Sequence, residues 1–164
     1  MRTAIETSDI YRMLETIPDP EIPVISIIEL GIVRDVKVSE GKVQIDITPT
    51  YSGCPAMMAI ERDIKETLTA NGISDVTVKL VYSPVWTTDW IPAAAKEKLR
   101  KYGIAPPAES TSDKSVLSLH PRAIACPRCG SLRTTMVSPF GSTACKALYR
   151  CLACREPFEH FKPI

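Results

Sequence analysis

The feature that most constrains this chain is a pair of C-x-x-C motifs near its C-terminus. Cys126 and Cys129 form the first pair, and Cys151 and Cys154 form the second after 21 intervening residues. Each motif can fold as a tight turn that directs two thiolates at one point, so two such turns supply a tetrahedral four-sulfur site. A segment of about 40 residues cannot bury a large core, and a bound metal would contribute folding free energy directly. The spacing therefore predicts a zinc ribbon with a structural four-cysteine site.

Iron is the main alternative to zinc at this site, because four thiolates also hold an iron ion or an iron–sulfur cluster. Cys145 is a spare thiol in the same segment, and a small buried side chain is its simpler interpretation. An iron site would indicate an electron-transfer protein.

Residues 121–164 carry 7 Lys+Arg and 2 Asp+Glu, which mildly favours a nucleic-acid-binding ribbon. These basic residues are scattered, however, and four zinc-bound thiolates offset part of the charge, so a protein partner is favoured.

The composition indicates a folded, two-part chain outside the membrane. Hydrophobic residues make up 45% of it, and 20 Lys+Arg nearly balance 19 Asp+Glu, which excludes global disorder. No apolar run approaches the roughly 18 residues that span a bilayer, and the N-terminus lacks a secretory pattern. We therefore expect a cytoplasmic protein, in which clustered cysteines indicate metal or thiol chemistry rather than disulfides. The net charge is −4 over residues 1–120 and +5 over residues 121–164, which suggests two domains.

Hydrophobic periodicity predicts an α+β fold for the N-terminal part of the chain. The expected order is α-β-β-α-β-α, with helices over 7–17, 55–72 and 92–102 and strands over 32–38, 43–47 and 76–82. This order predicts a small two-layer domain, in which helices cover one face of a mixed sheet. We assign the domain to residues 1–104, a linker to 105–121 and a β zinc ribbon to 122–164.

Cys54 is the isolated cysteine, and it directly precedes the predicted helix at Pro55. A thiol at a helix N-terminus faces free backbone N–H groups, which favour its thiolate form. An incidental cysteine in a capping turn is about as good an interpretation.

Asp19 and Glu21 lie on a proline-stiffened loop, and by spacing alone a solvated turn with a capping aspartate is favoured. A thiol hydrolase is weakly supported, because neither His120 nor His160 has a recognisable partner.

The N-terminal part resembles the iron–sulfur assembly domain of the SufT family over residues 8–102. The resemblance is carried by 17–23 (IPDPEIP), 29–33 (ELGIV) and 52–55 (SGCP). It implies a protein that helps to deliver or mature iron–sulfur clusters, with Cys54 as the residue tied to that activity. Asp19 and Glu21 would assist Cys54 in the transient handling of iron or a cluster.

The whole chain resembles the PaaD family of phenylacetate-degradation proteins. The motifs that carry this resemblance are 86–90 (WTTDW), 126–129 (CPRC), 140–151 (FGSTACKALYRC) and 154–158 (CREPF). It implies a bacterial accessory subunit of the phenylacetyl-CoA ring 1,2-epoxidase, a multicomponent monooxygenase, rather than a catalytic subunit. The implied role is maturation of that system's iron or iron–sulfur centre, with the oxygenase or reductase components as partners. A homodimer could bring two copies of Cys54 together, and nucleic acid and membrane are not expected partners.

Overall fold

A computed structural model describes residues 5–107 and 123–163, which form two compact units. The first unit is Met1–Trp86 and the second is Thr87–Ile164. Most of the predicted linker, from residue 108 onward, lies outside the described residues, as does His120. The second unit begins earlier in the sequence than the ribbon boundary proposed at residue 122, and in this earlier part Ile104 and Ala105 pair with the C-terminal strand over residues 157–161.

The first unit contains two helices and a three-stranded mixed sheet. Its elements in chain order are α1 (Thr7–Glu15), β1 (Val33–Ser39), β2 (Lys42–Ile47), α2 (Ala56–Ala70) and β3 (Val76–Leu80). The sheet order is β1-β2-β3, in which β1 and β2 are antiparallel and β2 and β3 are parallel. This arrangement confirms the predicted helix-and-sheet fold class.

Local sequence explains the hairpin between β1 and β2. Glu40 and Gly41 both have positive φ, 49° and 79°, which is typical of the tight two-residue turns that join twisted strands. A β-bulge between Val33 and Asp35 shifts the register, so that Val33 and Val36 are both buried although they lie three residues apart. The first residues of this strand therefore depart from the regular alternation of buried and exposed side chains.

Helix α2 supplies the apolar layer that packs against the sheet. Its buried positions recur every four residues, at Ala56, Ile60, Ile64 and Leu68. Met57, the neighbour of Ala56, is only partly buried. The helix begins one residue later than predicted, with Pro55 as its N-cap residue rather than as its first helical residue.

Within residues 87–107 and 123–163, the second unit contains one helix and a four-stranded sheet. A 3-10 turn (Thr88–Trp90) leads to α3 (Ala93–Tyr102), followed by the strands β4 (Ile104–Ala105), β5 (Thr134–Ser138), β6 (Lys146–Cys151) and β7 (Pro157–Phe161). The sheet order is β4-β7-β6-β5, in which β4 runs parallel to β7 and the other pairs are antiparallel. Ala105, predicted as the first linker residue, is thus a buried strand residue opposite His160.

The three helices are short, with 9, 15 and 10 residues. Over the described ranges of the chain, none of them is both long enough and apolar enough to cross a membrane.

Candidate metal centre and cysteine site

The four cysteines of the C-x-x-C motifs meet at one end of the second sheet. Cys126 and Cys129 lie in the turn that precedes β5, and Cys151 ends β6 and opens the turn that leads through Cys154 to β7. All four sulfur atoms lie within 4.8 Å of one another. The structure therefore brings the two motifs together, as their spacing predicted.

The sulfur positions fit a tetrahedral zinc ion. The Sγ atoms of Cys126 and Cys154 are 3.8 Å apart, and those of Cys129 and Cys151 are 3.5 Å apart. Four sulfurs about 2.3 Å from a zinc ion are separated from one another by roughly 3.8 Å. The donor set is soft and closed, with four protein ligands and no open position, as in structural rather than catalytic zinc sites.

The two turns share one backbone design. In the first, the Cys126 N–H donates to the carbonyl of Ser131 at 3.0 Å, and Gly130 has a φ of 73°. In the second, the Cys151 N–H donates to the carbonyl of Glu156 at 3.0 Å, and Arg155 has a φ of 66°. The residue after the last cysteine is thus left-handed in both turns, a conformation natural for glycine and strained for arginine.

Backbone donors already favour thiolate at one ligand. The N–H of Cys154 points to the sulfur of Cys151 at 3.5 Å. This contact, together with a weaker one from Ala153, lowers the pKa of Cys151 to about 6. The N–H of Glu156 lowers the pKa of Cys154, but burial and the neighbouring sulfur atoms outweigh it and raise that pKa to about 12. A bound cation removes this conflict, because it stabilises all four thiolates together.

A small apolar core adjoins the metal site. Cys126 and Cys151 are buried in a cluster that also contains Ala105, Ala147, Tyr149 and Phe158, with Ile124 against it. Tyr149 stacks on Phe158 and meets the edge of His160, whose Nδ1 is 3.1 Å from the carbonyl of Ala105. Burial lowers the pKa of His160, so the residue is a neutral structural link between β4 and β7.

Cys145 is not part of the four-sulfur site. Its side chain is 3% exposed, and its sulfur is 3.1 Å from the hydroxyl of Thr143. This placement agrees with a small buried side chain rather than with a fifth ligand.

Cys54 lies in the loop between β2 and α2, immediately before Pro55. Gly53, with a φ of 78°, turns the chain there, and the Cys54 N–H donates to the carbonyl of Tyr51 at 3.3 Å. The thiol is half-buried, and burial raises its pKa, although the N–H of Ala56 at the start of α2 lowers it. The expectation that the helix N-terminus favours thiolate is therefore wrong in its net direction, because desolvation outweighs the backbone donor.

The charges of Glu21 and Asp19 act on the same thiol. Both carboxylates raise the pKa of Cys54, with Glu21 the stronger of the two. The side chain of Tyr51 also hydrogen-bonds to the thiol and lowers its pKa. Tyr51 was not predicted as part of the site, and its position three residues before Cys54 in the same short loop was the available signal.

Asp19 organises the acidic loop from inside. Its carboxylate oxygen Oδ1 accepts hydrogen bonds from the N–H groups of Glu21 at 2.9 Å and Ile22 at 2.8 Å. The side chain is only 4% exposed, so the capping role predicted for Asp19 is present but the predicted solvated turn is not. Glu21, held by this cap, is partly exposed beside the loop.

Further hydrogen bonds hold the segment that follows this loop. Ser26 and Glu29 cap each other, with the Ser26 N–H donating to Glu29 Oε2 at 3.0 Å and the Glu29 N–H donating to Ser26 Oγ at 3.1 Å. The indole N–H of Trp86, a fully buried side chain, donates to the carbonyl of Leu30 at 2.8 Å. Glu29 and Leu30 thus help to fix the segment that follows the loop of Asp19 and Glu21.

Comparison with known proteins gives two family matches. Residues 7–80 match the iron–sulfur cluster assembly protein family, and residues 110–162 match the PaaD zinc beta ribbon domain. The first unit is similar to the crystal structure of a domain of unknown function, DUF59, from Bacillus anthracis, with a TM-score of 0.53 and 33% identity. That similarity covers 56% of this chain and 89% of the other.

Two relatives are also similar in sequence. The Fe-S protein maturation auxiliary factor SufT of Staphylococcus aureus (strain USA300) is 40% identical over 80 residues, which is 48% of this chain and 90% of the relative. A putative 1,2-phenylacetyl-CoA epoxidase subunit of Escherichia coli (strain K12) is 51% identical over 160 residues, which is 97% of this chain and 94% of the relative. The first similarity supports an accessory role related to iron–sulfur assembly, and the four-cysteine site fits structural zinc. The second covers both units, and the chain therefore belongs to the PaaD family, in which an iron–sulfur cluster assembly domain is combined with a C-terminal zinc beta ribbon.

Proposed function

We propose that this protein is a non-catalytic maturation factor for a phenylacetyl-CoA epoxidase, and that it handles iron or an iron–sulfur cluster as cargo at Cys54. One observation carries the proposal. On a domain of the iron–sulfur assembly family, Cys54 is a half-buried free thiol on which the charges of Glu21 and Asp19 both act. The similarity to a putative epoxidase subunit supports the choice of client.

The raised pKa of Cys54 suits transient rather than permanent binding. At neutral pH the thiol is protonated, so a metal must displace a proton before sulfur becomes a ligand. Once the proton has left, a soft thiolate is a good donor to iron, and a single one holds it weakly enough for transfer. The negative charge of Glu21 opposes the free thiolate and favours a bound cation, which makes the site selective for its loaded state.

Asp19 and Glu21 have different roles in this proposal. Asp19 is a positioning residue, because its buried carboxylate is occupied by two backbone N–H groups of the loop. Glu21 is partly exposed, and its charge would act on the cargo as it acts on the Cys54 thiol.

The zinc ribbon completes the proposal as a docking module. Cys126, Cys129, Cys151 and Cys154 would hold a structural zinc ion that stabilises the fold of the small sheet. The ribbon would then present its surface to an oxygenase or reductase component, while the cysteine of the first unit handles the cargo.

The test is the metal content of the client rather than growth alone. Epoxidase components would be produced in cells with wild-type protein, with Cys54→Ala or with Ser52→Ala, and iron and acid-labile sulfide would be measured in each purified component. Ser52 is a matched control, since it is exposed and lies two residues from Cys54 in the same loop. We expect Cys54→Ala to leave one component deficient and Ser52→Ala to match wild type.

Three readouts make this test decisive. Loss of sulfide together with iron would identify a cluster as the cargo, and loss of iron alone would identify iron. Circular dichroism of the purified variants excludes misfolding as the cause. Normal iron and sulfide in every component with Cys54→Ala, together with normal growth on phenylacetate, would refute the proposal.

A further inference from the structure

The second unit exposes an unusual amount of apolar surface along one sheet edge. Strand β5 lies at the end of the order β4-β7-β6-β5, so one of its sides is paired with β6 and the other is an edge. Four large apolar side chains on or beside this strand are each 45% exposed or more; they are Leu132, Met136, Val137 and Leu152, called here the β5 edge surface. The N–H of Leu152 donates to the carbonyl of Arg133 at 2.7 Å, which places Leu152 opposite Arg133 at the start of β5.

The backbone of β5 also offers hydrogen-bonding groups at this edge. In an antiparallel pair, alternate residues bond to the partner strand, and the residues between them direct their N–H and C=O groups away from it. Because the carbonyl of Arg133 bonds to β6, Thr135 faces β6 and Met136 faces the edge. Natural edge strands are commonly protected by charged residues, proline or β-bulges. The sequence of β5, TTMVS, contains no charged residue or proline, and a β-bulge between Met136 and Ser138 leaves regular pairing over Thr134–Met136.

Arginine side chains flank this surface. Arg133 precedes β5 directly, and Arg150 lies opposite Thr135 on β6. Both are exposed, and over residues 5–107 and 123–163 neither forms an ion pair with an acidic side chain. The buried Lys146, by contrast, is already neutralised by Glu159 at 2.8 Å. The charge left at the surface of this sheet is therefore positive beside the apolar edge.

We infer that the β5 edge surface binds an acidic, extended segment of a partner protein. The segment adds to β5 as a further strand, covers Met136 and Val137 with alternate side chains, and places carboxylates near Arg133 and Arg150. This inference rests on the proposed function for the identity of the partner, an oxygenase or reductase component of the epoxidase. A nucleic acid fits less well, because the surface offers mainly aliphatic side chains and a backbone edge rather than a platform of stacking aromatic rings.

The test compares two substitutions of equally exposed residues in the same unit. Val137 is 58% exposed on the β5 edge surface, and Tyr102 is 56% exposed at the end of α3. Zinc-loaded full-length protein would be titrated against the immobilised oxygenase and, separately, the immobilised reductase. We expect Val137→Glu to weaken binding to one component by roughly tenfold or more and Tyr102→Glu to change it by less than about twofold.

Two further variants test the chemistry of the partner. Val137→Lys should bind more tightly than Val137→Glu, because only the glutamate repels an acidic segment. Arg150→Glu should weaken binding without touching the apolar side chains, and added salt should weaken the wild-type complex. Zinc content and thermal unfolding, measured on every variant, separate a lost contact from a lost fold.

Four results would overturn the inference. The first is equal binding by wild type and Val137→Glu, and the second is equal binding by Val137→Glu and Val137→Lys. The third is that the wild type binds neither component. The fourth is that Val137→Glu disrupts a homodimer or a DNA complex of the wild-type protein instead. The last of these would assign the surface to a second copy or to nucleic acid. None of them alters the iron content measured with Cys54→Ala, so failure of this inference and failure of the proposed function are distinguishable.

Discussion

Replacing Glu159 by glutamine would leave a buried ammonium group in the ribbon without its counter-charge. Lys146 Nζ is 2.8 Å from Glu159 Oε2, and the side chain of Lys146 is only 4% exposed. The second carboxylate oxygen of Glu159 accepts a hydrogen bond from the Ser142 N–H, which an amide oxygen can still accept. If the amide oxygen keeps this bond, the amide nitrogen takes the place of Oε2 and cannot accept from Lys146, so the substitution removes both the charge and the hydrogen bond of the ion pair.

The expected cost follows from the burial of the two partners. Removal of one member of a buried ion pair typically costs about 3–5 kcal/mol, because the remaining charge stays desolvated. The side chain of Glu159 is 24% exposed, so water can partly compensate and the lower end of this range applies. We predict a loss of about 3 kcal/mol, which is roughly a hundredfold increase in the unfolded fraction of the ribbon.

The assay is denaturant unfolding at pH 7.5 and fixed free zinc, followed by release of zinc to a chromogenic chelator. Glu97→Gln is the matched control, because Glu97 pairs with Arg100 in the same unit but both side chains are about half exposed. The control should change the free energy of unfolding by less than about 1 kcal/mol. A double variant, Lys146→Met with Glu159→Gln, should recover most of the loss. Equal stability of Glu159→Gln and Glu97→Gln would refute the reasoning.

Three further predictions concern the two cysteine sites. Cys126→Ser should lose its zinc and unfold the ribbon, measured by metal analysis and circular dichroism, and full retention of zinc would contradict the assignment of this ligand. Gly130→Ala should destabilise the ribbon by about 1–2 kcal/mol through its positive φ alone, since an added Cβ meets no atom within 4 Å. Arg155→Gly should not destabilise the ribbon. Denaturant unfolding compares the two variants, and equal losses of stability would contradict the shared turn design. When the rate of alkylation of Cys54 is plotted against pH, the midpoint should lie above that of free cysteine. Glu21→Gln should lower this midpoint, because the thiolate then loses a repelling charge. An unchanged or higher midpoint would contradict the effect of Glu21 on Cys54.

Local features of the sequence predicted the elements that depend on neighbouring residues. Helix α3 ends at Gly103, whose φ of 101° is the left-handed cap that its glycine indicated. Strands β5 and β6 lie between the metal-ligand turns, within the β zinc ribbon predicted for residues 122–164. The two-residue β4 was missed, because it is defined by its pairing with β7, more than 50 positions further along the chain. Such a pairing leaves no periodic signal in a stretch as short as β4.

By itself, the spacing of the four cysteines determined that this protein has a four-thiolate site, formed by Cys126, Cys129, Cys151 and Cys154. Two tight turns of this kind supply the four ligands of a tetrahedral cation once the sheet brings them together. Tertiary structure alone decided the state of Cys54. Its place before a helix indicated a thiolate, but burial of the folded loop and the approach of Glu21 and Asp19 raise its pKa instead. Desolvation and the distance between charges from separate loops are properties of the folded chain, and no local pattern of residues encodes them.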